Sequence, residues 1–333
     1  MVKSAKKKAA AASAPPSEAS QAGAKPAFEM APGEPAAAAT RRALLFLFEQ
    51  MLAQEEGVLR GDDPEAVHDF RVAVRRTRSA LGQVRGVFAT YRRDRYRESF
   101  AWLAGESNLL RDTDVLLEQL PELAAEVGNP ADLEPLRDFL LGERASAHKA
   151  MVKVLRGAKY RRLLRTWKAF LEKPPKVTVR SAPNAERPIL EVARERIYSV
   201  YRAIRKKTRK FEEPVPAEEL HQLRIDCKKL RYLLELFRSL FDAEEIAAVL
   251  ADLKHLQDLL GEMNDLEVQK GRLLELAHAL QAREAAPAAT LFAMGRIAQR
   301  HERRQQVLRK DLASRIGELT SGDTRGFFRG LRG

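Results

Sequence analysis

The sequence predicts an all-α protein made of two similar halves, and three observations favour this fold class. From residue 40 onward, apolar side chains recur at helical spacing almost throughout the chain. Glycines are few and aromatic residues make up 7% of the chain, which argues against a β-barrel or an aromatic stacking platform. The chain also overlays itself without gaps when it is shifted by 153 positions.

The predicted helices follow one another with clear breaks. The first spans 41–60 and ends at the run from Gly61 to Pro64, in which aspartates before a proline are typical of a new helix start. The second helix is predicted over 66–91. Further helices are expected at 94–110, 113–127, 131–157 and 160–172, and a second helical series runs to about residue 318.

Composition divides the chain into five segments. Residues 1–36 are rich in Ala, Pro, Ser and Lys, and they predict a disordered basic tail because they carry too little apolar surface to fold. The prolines of 173–188 indicate a linker. Two helical repeats occupy 37–172 and 189–320, and residues 321–333 are expected to be flexible.

The self-match shows which residues the two halves share. It places His68 on His221 and pairs four of the six histidines. One register that holds over about ninety residues is hard to obtain by chance, so we interpret it as an internal duplication. The shared basic positions are Arg71 with Arg224, Arg75 with Lys228, Arg76 with Lys229, Arg78 with Arg231, and Arg85 with Arg238.

The charge of the chain points to an anionic partner. Its 333 residues include 59 Lys and Arg against 46 Asp and Glu, which gives a formal net charge of +13. This surplus favours nucleic acid, polyphosphate or an anionic surface, without choosing among them. The single cysteine, Cys227, excludes an internal disulfide or a cysteine zinc site and favours a reducing compartment. No apolar run is long enough for a transmembrane helix.

The second helix of each half carries two stripes at helical spacing. One is apolar and forms the predicted core face, and the other lies roughly 100° round the helix and is basic. The apolar stripes are Val67, Phe70, Val74, Thr77, Leu81, Val84 and Phe88 in the first half and Leu220, Leu223, Cys227, Leu230, Leu234, Phe237 and Phe241 in the second. The basic stripes are His68, Arg71, Arg75 and Arg78, with Arg85 at the margin, and His221, Arg224, Lys228 and Arg231.

The basic stripes differ from an ordinary solvated helix face. Residues 67–88 hold five arginines and a single acid, Asp69. Like-charged neighbours such as Arg71 and Arg75 cost a few tenths of a kcal/mol, which a bound polyanion would offset. From His68 to Arg78 the stripe spans about 15 Å, a length that suits a row of phosphates, and arginine binds phosphate oxygens in a bidentate manner.

These segments resemble the signature helices of CHAD domains, the conserved-histidine α-helical domains. The matching strings are VHDFRVAVRRTR at 67–78, LHQLRIDCKKLRY at 220–232, RDTDV at 111–115 and LQDLLGEMND at 256–265. The resemblance covers about residues 40–320. It implies two four-helix bundles related by a pseudo-two-fold axis, a basic central channel that binds inorganic polyphosphate, and association with polyphosphate granules in bacteria. One departure is the string AGESN at 104–108, where a Leu-Gly pair is usual.

The resemblance and the stripes together select the site residues. The residues expected to bind polyphosphate are His68, Arg71, Arg75, Arg76, Arg78, His221, Arg224, Lys228, Lys229 and Arg231. The residues placed at the channel edge are Arg85, Arg111, His148, Arg238, His301 and Tyr232. No catalytic residue, metal or cofactor is assigned.

Several roles stay open on the sequence alone. His68 and His221 are either phosphate-facing donors or structural histidines, and a metal role is disfavoured because no second ligand follows at helical spacing and arginines surround them. Asp112 and its counterpart Asp265 either orient basic side chains or cap the following helix. Cys227 falls on the apolar stripe and is expected to be a buried, inert thiol.

The favoured function is non-catalytic binding of polyphosphate by a cytoplasmic protein at polyphosphate granules. The alternative is a nucleic-acid-binding or granule-architectural protein that uses its basic surface, with non-specific contacts to nucleic acid. A duplex reader displays its basic helix outward, whereas here the basic stripes flank the core stripes in both halves. An enzyme acting on polyphosphate is a weaker hypothesis, because the sequence lacks an acidic metal cluster and the common phosphate-loop and hydrolase motifs.

Overall fold

The computed structural model describes residues 28–173, 178–211, 215–320 and 322–332, apart from the side chain of residue 323. The protein is all-α, which confirms the predicted fold class, and in the described residues the sole β-type pairing is an isolated bridge between Pro35 and Pro188. The helices are α1 (Ala36–Arg60), α2 (Pro64–Gln83), α3 (Thr90–Glu106), α4 (Asn108–Glu126), α5 (Glu134–Leu155), α6 (Ala158–Glu172), α7 (Ile189–Thr208), α8 (Ala217–Leu236), α9 (Ala243–Ala282), α10 (Ala288–Arg309), α11 (Leu312–Thr320) and α12 (Gly322–Gly330).

The start of α2 follows the sequence signal. The side chain of Asp63 accepts a hydrogen bond from the backbone amide of Glu65 at 2.9 Å, and Pro64 occupies the first helical turn. An N-cap aspartate satisfies an otherwise unpaired amide, and proline loses no hydrogen bond at this position. The predicted break between the first two helices is therefore confirmed.

The end of α2 differs from the prediction of a helix to residue 91. The helix stops at Gln83, and Gly86 adopts a positive φ of 70° in the turn that follows. The Gly86 carbonyl accepts a hydrogen bond from the backbone amide of Asn184 at 2.8 Å, so this turn is held by the segment that joins the two halves. A side chain at Gly86 would lie 2.9 Å from Asn184 Nδ2, which leaves room only for glycine.

The helix bounds follow the same register as the sequence self-match. Adding 153 to the bounds of α2 gives 217 and 236, which are the bounds of α8. The same shift carries the start of α3 onto the start of α9, and the start of α1 onto the start of α7. This register supports the interpretation of an internal duplication. The halves differ at one place: the first half has two helices, α3 and α4, where the second half has the single continuous helix α9.

Two apolar cores lie inside the molecule. The larger core takes side chains from both halves. It includes six of the seven apolar-stripe residues of α2 and the turn that follows, and the seventh, Thr77, is buried beside them. Of the apolar stripe on α8, only Phe241 is partly buried rather than buried. The smaller core joins α4 and α5 to α9 and α10. The predicted core face is confirmed, and the polar residues described below lie between and around these cores.

Three segments that the sequence assigned to tail, linker or flexible end are packed. Met30 is buried and its backbone amide donates to Ser239 Oγ at 3.1 Å, so the disordered tail does not extend to residue 36; residues 1–27 lie outside the described part. In the linker, Ala182 and Ala185 are buried. Near the C-terminus, α12 buries Phe328 completely against the ring of Tyr201, with ring centroids 3.8 Å apart. These segments hold too few apolar side chains to show helical periodicity, but those few are sufficient to pack the segments against the rest of the protein.

Candidate anion-binding site

The two basic helices pack against each other. The guanidinium of Arg75 on α2 lies 5.9 Å from the ring centroid of Tyr232 on α8, and Arg76 is paired with Glu235 at 3.9 Å. These contacts cross from one half of the chain to the other. Because Arg75 belongs to the basic stripe and Tyr232 borders its counterpart, the basic stripes of the two halves lie on adjoining surfaces.

Arg71 is anchored to the junction between α3 and α4. Its Nη1 donates to the carbonyl oxygen of Ala104 at 3.0 Å and to Ser107 Oγ at 2.7 Å. Burial lowers the pKa of Arg71, and the charges of Arg75, Arg111 and Arg78 act in the same direction, whereas Asp112 opposes them. An arginine remains protonated under such conditions, so Arg71 is a fixed and partly desolvated cation.

The basic stripe of α8 is held by α9. Arg224 Nη2 lies 3.5 Å from Asp265 Oδ1, and His221 Nδ1 lies 3.2 Å from Asn264 Oδ1. Arg231 donates to Gln257 at 3.3 Å. Asp265 is in the interior of a continuous helix, so the capping alternative is wrong for this residue, and its carboxylate lies beside Arg224.

Asp112 connects the first half to a cation that the sequence did not identify. Partial desolvation raises the pKa of Asp112, and the charges of Arg71, Arg272 and Arg111 lower it in part. Arg272 belongs to α9 and also pairs with Glu143 of α5. The self-match could not find Arg272, because residue 119 at the equivalent position is a glutamine.

The contacts join four helices in a ring. Helix α2 contacts α4 and α8, α8 contacts α9, and α9 is tied back to α4 by the hydrogen bond from Gln269 Nε2 to Gln119 Oε1 at 2.6 Å. We use the name basic groove for the surface formed by the basic stripes of α2 and α8 together with Arg111, Asp112 and Arg272. Its cations come from both halves of the chain.

Other predicted site residues occupy the groove less directly. His68 is half-buried on α2, Lys228 is half-buried on α8, and Arg78 is exposed. Lys229 lies 2.9 Å from Asp226, which also contacts Lys207, so its ammonium is engaged on a neighbouring face of α8. Arg111 is paired with Glu118 at 3.4 Å while remaining close enough to Asp112 to affect its pKa.

Four of the residues predicted at the channel edge lie outside the two basic helices. Arg85 and Arg238 follow them, because α2 ends at Gln83 and α8 at Leu236. His148 Nε2 contacts the carbonyl oxygen of Val58 at 2.9 Å and packs over Gly61, so this histidine secures the end of α1. His301 is buried on α10, where burial lowers its pKa and its charged neighbours are Glu126 and Arg300.

Guanidinium groups dominate the chemistry of the basic groove. Within the described residues, no group of three or more His, Cys, Asp and Glu could hold a metal ion. Cys227 is completely buried, and burial raises the pKa of its thiol, as the sequence predicts for an inert cysteine. In the same described ranges, no helix combines the length and apolarity needed to cross a bilayer. What remains is a set of oriented guanidinium groups that can donate charge-assisted hydrogen bonds to an anion.

Comparison with known proteins agrees with this geometry. The family model described as CHAD domain matches residues 42–274, more than half of the chain. The chain belongs to the CHAD domain family. The match includes α2 and α8, and hence both basic stripes of this CHAD domain. No curated protein sequence matches it.

Two solved structures resemble this CHAD domain over most of its length. The crystal structure of the CHAD domain from the plant Ricinus communis superposes with a TM-score of 0.72 at 27% sequence identity, covering 87% of this chain and 94% of that chain. PptA from Streptomyces chartreusis superposes with a TM-score of 0.62 at 17% identity, covering 84% of this chain and 99% of that chain. The first similarity supports the family assignment, and the second supports the fold.

Proposed function

We propose that this CHAD domain binds inorganic polyphosphate in the basic groove without chemical turnover, and that it acts in the cytoplasm at polyphosphate granules. The observation that carries the proposal is the contact between α2 and α8, which brings Arg75 beside Tyr232 and so joins two basic stripes that are 153 residues apart in sequence. A row of guanidinium groups from two helices matches a linear chain of phosphates better than a single phosphate.

The surroundings of Arg71 further favour a polyanion as the ligand. Arg71, Arg75, Arg78 and Arg111 are close enough that the other three lower the pKa of Arg71. Holding like charges together costs free energy, and a bound polyanion removes this repulsion. Each charge-assisted contact is worth roughly 1.5–3 kcal/mol when desolvated and less when hydrated.

The test is a charge reversal in the groove. R75E/K228E changes the local charge by four units, and neither residue lies on the apolar stripe, so polyphosphate binding should be nearly abolished while the helical circular dichroism is unchanged. Affinity of the wild type should also fall steeply with salt, by analogy with counterion release from DNA. Titration of labelled protein with long-chain polyphosphate measures both effects.

A matched control separates the groove from diffuse charge. Lys149 and Lys153 are exposed on α5, so K149E/K153E makes the same four-unit change away from the groove and should bind like the wild type. Equal weakening by the two double variants would contradict the groove. Duplex DNA competing as well as polyphosphate at equal phosphate concentration would favour the nucleic-acid alternative instead.

A further inference from the structure

A second basic surface lies at the C-terminal end of α7 and on the two residues that follow it, outside the basic groove. It consists of Arg202, Arg205, Lys206, Arg209 and Lys210, which line a cleft together with Tyr198 and Tyr201. We name this surface the α7 cleft. Four of its five cations are exposed, and Arg205 is half-buried.

Part of the α7 cleft lies on the side of α7 opposite α2. Arg196 on α7 donates to Gln83 of α2 at 2.7 Å, and Lys207 contacts Asp226 of α8, so these two side chains mark the inward face of α7. At 100° per residue, Arg205 lies about 180° from Arg196. The lining of the cleft shares no residue with the basic groove.

Helix α12 places further cations near Tyr201, which lines the cleft. Phe328 stacks on the ring of Tyr201, and the guanidinium groups of Arg325 and Arg329 are close enough to lower the pKa of the Tyr201 hydroxyl, as does Arg205. Burial outweighs these charges and raises that pKa overall. The charged groups that act on this hydroxyl are thus all cationic, a setting that favours an anion.

The first half of the chain lacks this feature. The self-match places Glu49, Leu52 and Glu56 of α1 where α7 has Arg202, Arg205 and Arg209. These α1 side chains are exposed, so the fold accepts either charge at these positions. The basic character of the α7 cleft is therefore a property of the second half alone and not a requirement of helix packing.

We propose that the α7 cleft is a second binding site for a phosphate-rich polyanion, so that one molecule engages two stretches of polyphosphate. This inference rests on the proposed function for the identity of the ligand. Arg202 and Arg209 are two helical turns apart, about 10 Å, which again suits consecutive phosphates. The ring of Tyr201 is buried and stacked on Phe328, so of the two aromatic rings in the cleft only the half-buried Tyr198 could meet a nucleobase.

A bivalent protein should show two consequences. Titration calorimetry with a short polyphosphate should give two bound chains per protein, and long-chain polyphosphate should produce cross-linked particles visible by light scattering, because each protein can join two chains. R202E/K206E removes two exposed cations of the cleft and should reduce the stoichiometry to one and abolish the cross-linking. K149E/K153E, with the same spacing and charge change, should retain both properties.

The outcomes separate the two proposals. If the wild type binds one chain, and R75E/K228E alone abolishes binding, the basic groove is upheld and the second site is overturned. If the wild type binds none, the proposed function itself fails. If R75E/K228E still binds one polyphosphate chain and R75E/K228E/R202E/K206E binds none, both sites are supported. The choice of ligand would be overturned if the protein bound duplex DNA or anionic lipid vesicles but not polyphosphate, and if R202E/K206E lost that binding.

Discussion

The two halves of this CHAD domain hold the same arginine in different ways. In the first half the helical path breaks at Ser107, whose hydroxyl donates to the Ala104 carbonyl at 3.0 Å, and Arg71 binds to both groups. In the second half α9 runs through the equivalent position, Leu260, without a break. Arg224 there has a carboxylate, Asp265, at 3.5 Å.

The difference shows how a helix break can serve a binding site. A serine hydroxyl that binds a backbone carbonyl competes with the helical ladder and favours a break. The freed carbonyl region then positions Arg71 through neutral oxygens, while the nearby Asp112 carboxylate also acts on its charge. Arg224 instead shares its charge with Asp265, so the second half orients the same side chain at the expense of local positive potential.

Removing Arg224 should give the largest effect on polyphosphate affinity. R224A deletes a cation and leaves the Asp265 carboxylate without its partner, so affinity should fall by about 30-fold, or about 2 kcal/mol. R224A/D265N should recover part of that loss, since the unpaired carboxylate is neutralised. Fluorescence titration of both variants measures the recovery, and equal affinities would show that Asp265 does not oppose the ligand.

Removing Arg71 should weaken binding less but destabilise the protein more. R71A should lower affinity about tenfold, because the Asp112 carboxylate beside it keeps Arg111 and Arg272 as cationic neighbours. It should also lower the free energy of unfolding by about 1–3 kcal/mol, since the Ala104 carbonyl and Ser107 hydroxyl lose a partner. Urea unfolding of R71A and R224A side by side tests this, and a greater loss of stability in R224A would reverse the comparison.

Neutralising Asp112 should strengthen binding. D112N removes a carboxylate beside Arg71, Arg111 and Arg272, and affinity should rise roughly fivefold, or about 1 kcal/mol. The pKa of Asp112 is already raised in the free protein, and a bound anion raises it further, so binding takes up a proton. Wild-type affinity should therefore increase as the pH falls through the Asp112 titration.

The pH profile provides the control for this prediction. D112N should show a flatter dependence of affinity on pH, while D138N, which changes an exposed carboxylate on α5, should keep the wild-type profile. Profiles of equal slope for D112N and the wild type would mean that Asp112 stays ionised in the complex.

The smallest effect is expected for the helix break itself. S107A removes one of the two acceptors of Arg71 and leaves the Ala104 carbonyl, so affinity should fall about threefold, or about 0.7 kcal/mol. S99A, which deletes an exposed serine hydroxyl bonded to a helical carbonyl of α3, should leave affinity unchanged. A tenfold loss in S107A would show that the hydroxyl, and not the carbonyl, positions Arg71.

Much of the site was accessible from the sequence because duplication repeats a pattern at a fixed spacing. The core stripes, the Asp63 cap and the facing basic helices follow from helical periodicity and from residues that recur after 153 positions. The predicted helices 94–110 and 113–127 place the break at 111–112, whereas α3 ends at Glu106 and α4 begins at Asn108, inside the string AGESN. Periodicity did not show that α2 ends at Gln83 and α8 at Leu236. Buried apolar residues continue through the turn after each helix, so the sequence pattern resembles that of a longer helix.

The sequence by itself determined the all-α class, the two-stripe helices and the cationic character of their second face, because each is a property of local spacing and composition. Tertiary structure decided which charges act together. Arg272 lies near Asp112 only because α9 packs across α4 and α5. His148 contacts the end of α1 because Gly61 leaves space for its ring. Such contacts depend on distances between helices remote in sequence, which no periodic pattern within a single helix encodes.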